Sequence, residues 1–311
     1  LGPTDLGLGE EVALPPVNAL PCPQRDRLVW RLYRGLAGDD VIFATMLSSR
    51  GCPHKCTFCS TPRGRWRHRD VDAIVQEMEA CAALGVQHIY FVDDNFPIGG
   101  SRLAALCEEL IARPHLPPWS CRTAALGLTE QNLEMMRRAG CARMQLGVET
   151  CTAEGLKVLG KTATLEQIQG SFAAARKVGM PTMAYFMIGL PNERSAADVR
   201  RTLTFARELK PDYALFNVLT LYPGTPLLRM AEERGLVAPD IWRAYARDPR
   251  PDFQAPIWDE HLSRDELYAL LDQAYRAFYL RPSVVLAQLR RGGIMRKARA
   301  GLRMLMSGGP R

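Results

Sequence analysis

The feature that most limits how this chain can fold is a unit that recurs from Val41 onward. An apolar, β-rich run is followed by a loop, then an amphipathic helical pattern, then a Gly and the next apolar run. The joints read "LGVQHIYFV", "AGCARMQLGV" and "VGMPTMAYFMI"; in "LKPDYALFNV" Pro211 stands where the Gly would be. A Gly just past a helix supplies the left-handed cap that ends it, and the run behind it becomes the next strand. Six strands are expected near 41–45, 88–92, 119–123, 143–148, 182–188 and 213–219. Helices are expected near 70–84, 101–113, 130–139, 165–178, 195–209 and 264–279. Thr164 with Gln167 and Ser263 with Glu266 form capping boxes, and Ser195 with Asp198 a looser one.

Such alternation implies a parallel sheet. Six units make either an open doubly wound sheet or an incomplete barrel, and in both the chemistry belongs beyond the C-terminal strand ends. Four special turns fall on that rim. "SSRGCPHKCTFCSTP" follows the first strand and Asp93, Asp94 and Asn95 the second. Glu149 follows the fourth, and "GLPNE" the fifth.

The first of these turns places Cys52, Cys56 and Cys59 within eight residues. The C-x3-C-x2-C spacing lets one loop wrap three corners of an iron–sulfur cluster. A structural zinc would need a fourth ligand, for which His54 and His68 are in range. A four-iron cluster with three thiolates keeps one iron open for another molecule, which gives the missing fourth Cys a chemical sense. The other cysteines, Cys22, Cys81, Cys107, Cys121, Cys141 and Cys151, are scattered, and from Cys81 onward they read as core or near-core thiols. An odd count of nine makes a poor disulfide framework and points to a reducing cytosol.

With 47% apolar and 23% charged residues over 311 positions, the chain can bury a core without staples. No run of eighteen apolar residues occurs. The net charge of +7 resides in the tail, since residues 281–311 carry eight Arg or Lys and no acid. The remainder is nearly neutral, which argues against a broad nucleic-acid face. The tail's Met-rich basic pattern could lie on an anionic membrane surface or remain solvated.

"RGCPHKCTFCS" resembles the signature loop of the radical S-adenosylmethionine (SAM) superfamily. "IYFVDDNF", "AGC…MQLGVET", "YFMIGLPNE", "YPGTPL", the "LPCPQRD" stretch and "RAFYLRP" resemble, in order and spacing, members that carry a cobalamin-binding domain ahead of the radical domain. The likeness runs over roughly residues 20–285. It implies an α/β fold with a (βα)6 partial TIM-type barrel over 41–225, the radical SAM core. Residues 1–40 would be a Pro/Gly-rich linker following a cobalamin-binding domain, and 226–311 a helical region with a basic tail.

By the same resemblance Cys52, Cys56 and Cys59 would hold a [4Fe–4S] cluster whose open iron takes SAM. Phe58 would lie against the adenine. Asp93, Asp94 and Asn95 stand where polar groups accept the SAM amino group. Glu149 would touch the ribose or methionine, Lys161 the SAM carboxylate, and Gly189 would let backbone approach the adenine. A sulfonium carrying an ammonium wants carboxylates, and a carboxylate wants a fixed cation.

The implied activity is reductive SAM cleavage and hydrogen abstraction from an unactivated carbon of a small-molecule or lipid-like substrate. An external one-electron donor is needed, and methyl transfer with cobalamin is the expected outcome. Cyclisation, rearrangement or nucleic-acid modification without cobalamin is the alternative. A non-catalytic zinc- or cluster-binding scaffold is the second. Two departures stand out. Asn192 replaces a Gly in "GLPNE", tolerable because Asn accepts left-handed geometry. "TAALGLT" lacks the polar Arg-Val-Asp type segment expected after the third strand.

Overall fold

The computed structural model describes residues 16–33, 41–61 and 66–281. The basic tail, Arg281 excepted, lies outside them.

All six expected strands form. They are β1 (Phe43–Met46), β4 (His88–Phe91), β5 (Trp119–Ala124), β6 (Cys141–Glu149), β7 (Thr182–Ile188) and β8 (Tyr213–Val218). They pair in parallel in the order β1-β4-β5-β6-β7-β8. Between β1 and β4 a short antiparallel pair, β2 (Ser49–Arg50) and β3 (Arg67–His68), leaves the cysteine loop as its connection.

The helices are α1 (Val71–Ala83), α2 (Gly100–Ile111), α3 (Glu130–Arg138), α4 (Ala153–Val158), α5 (Leu165–Lys177), α6 (Ala196–Leu209), α7 (Pro226–Glu233), α8 (Ile241–Arg247) and α9 (Arg264–Tyr279). Contacts run α1 to α2, α2 to α3, α3 to α5, α5 to α6 and α6 to α9. Strand order never reverses, so there is no switch point, and the helices follow one another in chain order. This is an incomplete barrel, not a doubly wound sheet. Both capping boxes form, at Thr164 with Gln167 and at Ser263 with Glu266.

Strand alternation sorts the side chains. On β6, Met144, Leu146 and Val148 are fully buried towards the helices, among a core that includes Ile89, Phe91, Cys121, Ala184, Phe186, Ala214 and Phe216. The intervening Arg143, Gln145 and Gly147 occupy the other, concave face together with Arg122 of β5 and Tyr185 of β7.

The sheet stops at β8 because α9 caps its free edge. Tyr279 Oη accepts from the Ala214 N–H at 3.1 Å and donates to its carbonyl at 2.7 Å. Tyr275, one turn earlier, does the same to Phe216 at 3.2 and 2.9 Å. Two phenols thus replace a seventh strand along an edge that would otherwise offer unpaired backbone.

Ahead of β1 the chain makes short 3-10 turns, with Val17 and Trp30 buried. Arg25 there reaches the buried Glu77 of α1 at 2.5 Å and the Thr45 carbonyl at 2.7 Å. Arg69 takes the other Glu77 oxygen at 2.6 Å. A buried carboxylate needs such partners, and here they fasten the Pro-rich stretch to the barrel. Among the described residues no helix is long and apolar enough to cross a membrane.

Candidate active site

The cysteine loop is fixed at both ends and in the middle. Its entry hangs on Asp93, fully buried just past β4. Asp93 Oδ1 accepts from the Ser48 N–H at 3.0 Å, the Ser48 hydroxyl at 3.0 Å, the Ser49 hydroxyl at 2.6 Å and the Ser49 N–H. Its neighbour Asp94 accepts from the Gly51 N–H at 3.1 Å and from the Thr61 hydroxyl at 3.2 Å, one residue before the first cysteine and two after the last. Asn95 turns to β5, accepting from the Ala124 N–H at 2.9 Å.

The middle of the loop is stapled to α4. The Thr57 N–H donates to the Leu159 carbonyl at 3.0 Å and the Thr57 hydroxyl to Val158 at 2.8 Å. The Leu227 N–H at the start of α7 donates to the Thr57 carbonyl at 3.1 Å. Gly160 makes this contact possible: it takes φ +64°, and a Cβ there would stand 2.9 Å from the Lys55 carbonyl. Phe58 packs on a small apolar cluster that includes Leu159, Leu190, Leu227 and Trp258.

Burial pushes the Cys52 and Cys56 thiols up, and the other thiols of the loop add to it. Lys161 opposes the rise at both. The His54 N–H lies against the Cys52 sulfur, and the Thr61 N–H donates to the Cys59 sulfur at 3.4 Å. His54 itself is held towards its neutral form by burial and by Lys161.

The three thiols are close enough to repel one another. A structural zinc takes four protein ligands, whereas three thiolates on one short loop suffice for a four-iron cluster. The donor set, with backbone N–H groups aimed at sulfur, fits the cluster.

Beside the loop lies a buried ion pair. Lys161 Nζ is 3.1 Å from Glu149 Oε1 and 2.9 Å from the Gly147 carbonyl, with side chains 9% and 12% exposed. Glu149 ends β6 in the left-handed region at φ 73°, at a shift in the β6–β7 register. Such a conformation in a residue with a side chain costs about 1–3 kcal/mol and collects at functional sites. Gly147 gives the pair its room: a Cβ there would be 2.5 Å from Glu149 Oε1 and 3.1 Å from Lys161 Nζ, so both side-chain ends would have to shift. Glu149 is legible as a rim residue and Lys161 through the family resemblance; that they pair, and that Gly147 makes room, is not.

The "GLPNE" turn is closed by Glu193. Its carboxylate accepts from the Gly189 N–H at 2.7 Å, the Leu190 N–H at 3.0 Å and the Thr202 hydroxyl at 3.2 Å, and burial holds its pKa above the usual range. The turn therefore survives without left-handed Asn192. Among the described residues only Glu149, Lys210 and Asp240 take positive φ without being Gly. At Gly189 the side where a Cβ would stand is taken by Leu267 of α9, at 3.1 Å. A nearby cavity of about 110 Å³, lined by Thr152, Asn192 and Glu193, is small beside the roughly 300–1,000 Å³ of small-molecule sites. The room for chemistry is the concave face and its rim.

The family model described as the radical SAM superfamily matches residues 46–206, from the cysteine loop through α6. This chain belongs to the radical SAM superfamily. It is 30% identical to an uncharacterized methyltransferase of Pyrococcus horikoshii, over 92% of this chain and 62% of that one. It is 29% identical to an anaerobic magnesium-protoporphyrin IX monomethyl ester cyclase of Cereibacter sphaeroides, over 76% of this chain and 38% of the relative. The radical SAM chain thus spans under two thirds of the length of these relatives. Among solved structures it resembles the radical SAM methyltransferase TsrM of Kitasatospora setae with cobalamin and a [4Fe–4S] cluster bound. The TM-score is 0.58 at 23% identity, over 63% of this chain and 40% of that one. It also resembles the cobalamin-dependent enzyme OxsB, with a TM-score of 0.53 at 19% identity over 62% and 36% of the two chains. At those identities the likeness is one of fold.

Proposed function

We propose that this radical SAM enzyme transfers a methyl group to an unactivated carbon, working with cobalamin held by a domain ahead of residue 41. The observation that carries this reading is the 30% identity, over 92% of the chain, with a relative named a methyltransferase. Further support comes from the folds of TsrM and OxsB, whose solved structures contain cobalamin.

Cys52, Cys56 and Cys59 would hold the [4Fe–4S] cluster. When bound and reduced, that cluster supplies the electron that splits SAM into methionine and a 5′-deoxyadenosyl radical. The protein's share is placement. Asp93 holds the loop entry through Ser48 and Ser49, and Gly160 and Thr57 hold its centre against α4. Lys161 sets a positive charge beside the thiolates and, with Glu149, offers both signs to the amino-acid end of SAM. Phe58 keeps the loop on its apolar seat. The helices cover the outer face of the sheet, which leaves the concave face and its rim to hold the reacting groups in place.

The test is methyl transfer by the complete gene product under anaerobic conditions with reductant, methylcobalamin and SAM labelled in its methyl group. Label in product only when cobalamin is supplied supports the reading. Product without added methyl carbon puts the chain among the radical SAM enzymes that cyclise or rearrange.

A further inference from the structure

Arg122 is exposed on β5, between Cys121 and Thr123, which are buried towards the helices. The register sets it beside Gln145 of β6. Tyr185 of β7 donates its hydroxyl to Gln145 Oε1. The Tyr185 phenol is raised by burial, lowered by Arg122 and Arg143 and raised by Glu149, so these groups share one face. No side chain among the described residues bonds or pairs with the Arg122 guanidinium.

One pleat deeper sits Arg143. Its guanidinium lies 5.6 Å from the Tyr213 ring and 6.0 Å from the Tyr90 ring, and it donates to Tyr90 Oη at 3.3 Å. Its Nε is buried without any hydrogen-bond partner. A buried N–H left unpaired is costly and rare in folded proteins. The one carboxylate that Tyr185 senses, Glu149, is already taken by Lys161. With Glu149 taken by Lys161, the concave face carries two guanidinium charges that no ion pair among the described residues joins to a carboxylate, and its walls focus that field.

We propose that the substrate carries an oxyanion, carboxylate or phosphate, and that Arg122 receives it with Arg143 beneath. This rests on the reading of the rim as a radical SAM site, because only there does the concave face become the substrate chamber. A guanidinium presents paired N–H donors that match either anion in bidentate fashion. Arg122 stands near the end of the third barrel strand, immediately before the segment that carries no charged residue. It supplies the contact that "TAALGLT" lacks.

The test is arginine footprinting on the full chain with its cluster reconstituted anaerobically. Phenylglyoxal modification is read residue by residue by peptide mass spectrometry, which separates Arg122 from the basic tail. Pyrophosphate, citrate, methionine and glycerol serve as probes at constant ionic strength. A probe at ten times its Kd should slow modification of Arg122 about elevenfold, as simple occupancy requires. Protection by pyrophosphate alone supports a phosphate-bearing substrate, by citrate alone a carboxylate, and by both the shared chemistry. Arg143→Met should weaken that protection while Arg122 stays modifiable. If neither anion protects beyond glycerol, Arg122 is a solvated side chain and the proposal falls. If methionine alone protects, Arg122 belongs to SAM and the proposal also falls. SAM cleavage is read separately as 5′-deoxyadenosine, so the two readings fail apart.

Discussion

Lys161 Nζ sits 3.1 Å from Glu149 Oε1, and both atoms occupy the space where a side chain at Gly147 would stand. Removing the carboxylate leaves an ammonium buried without its partner, which costs about 3–5 kcal/mol in such positions. Glu149→Gln should therefore destabilise the chain markedly. Gly147→Ala is the finer probe, because its Cβ displaces the pair while leaving both charges. It should weaken SAM binding about tenfold or more, a loss of about 1.4 kcal/mol. Equilibrium binding of SAM to the reconstituted protein checks this, and wild-type affinity in Gly147→Ala would place the pair outside the cofactor site.

Gly160 tests the loop itself. Ala there must hold φ near +64° and press on the Lys55 carbonyl. The left-handed conformation alone costs about 1–2 kcal/mol. Gly160→Ala should lower iron and sulfide per chain after reconstitution while far-ultraviolet circular dichroism is unchanged. Full iron content would show that the loop does not depend on its seat against α4.

How far the sequence foretold this can be judged at particular residues. The strands were legible as apolar, β-rich runs, four of them behind a helix stop, and sequential strand order then settled barrel over doubly wound sheet. The β2–β3 pair was not, since two-residue strands carry no periodicity. Helices α4, α7 and α8, with six to eight residues each, were missed because they are shorter than the pattern a helix needs to stand out from a loop. At the site, Asp93, Glu149 and the cysteines were legible from rim position and motif, and Lys161 from the family resemblance. Asp93's commitment to Ser48 and Ser49 was not, because it depends on how the loop folds back over 44 residues. Arg122 was passed over because it sits inside a strand rather than in one of the turns at the rim.

The β8 edge gives a stability test. Tyr275→Phe with Tyr279→Phe removes four hydrogen bonds to the edge of β8, each worth about 0.5–1.5 kcal/mol net. The double variant should lose about 5 °C or more in thermal midpoint. It should also scatter light more with rising concentration, since an uncapped edge invites pairing. An unchanged midpoint would mean that packing of α9 alone holds β8.

His88 makes the chain sensitive to acid. Its ring nitrogen lies 2.9 Å from Ser120 Oγ, and burial, followed by the nearby Arg143 charge, pushes its pKa down to about 4. The folded value is below the unfolded one near 6.5, so the native state binds fewer protons. Its contribution is full above pH 6.5 and is lost as pH falls towards 4. With partial exposure discounted, the loss is roughly 1–2 kcal/mol. Asp93 and Glu193, raised by burial, act in the opposite sense, so the comparison is with His88→Gln. Thermal midpoints from pH 7 to pH 4 should fall less in that variant; parallel curves would remove His88 as the cause.

The most direct measurement is 5′-deoxyadenosine formed from SAM by the anaerobically reconstituted, reduced chain, beside a Cys56→Ala variant prepared in the same way. The account predicts 5′-deoxyadenosine from the native chain and none from the variant. Equal yields from both, or intact SAM in the presence of a reduced native cluster, would contradict it.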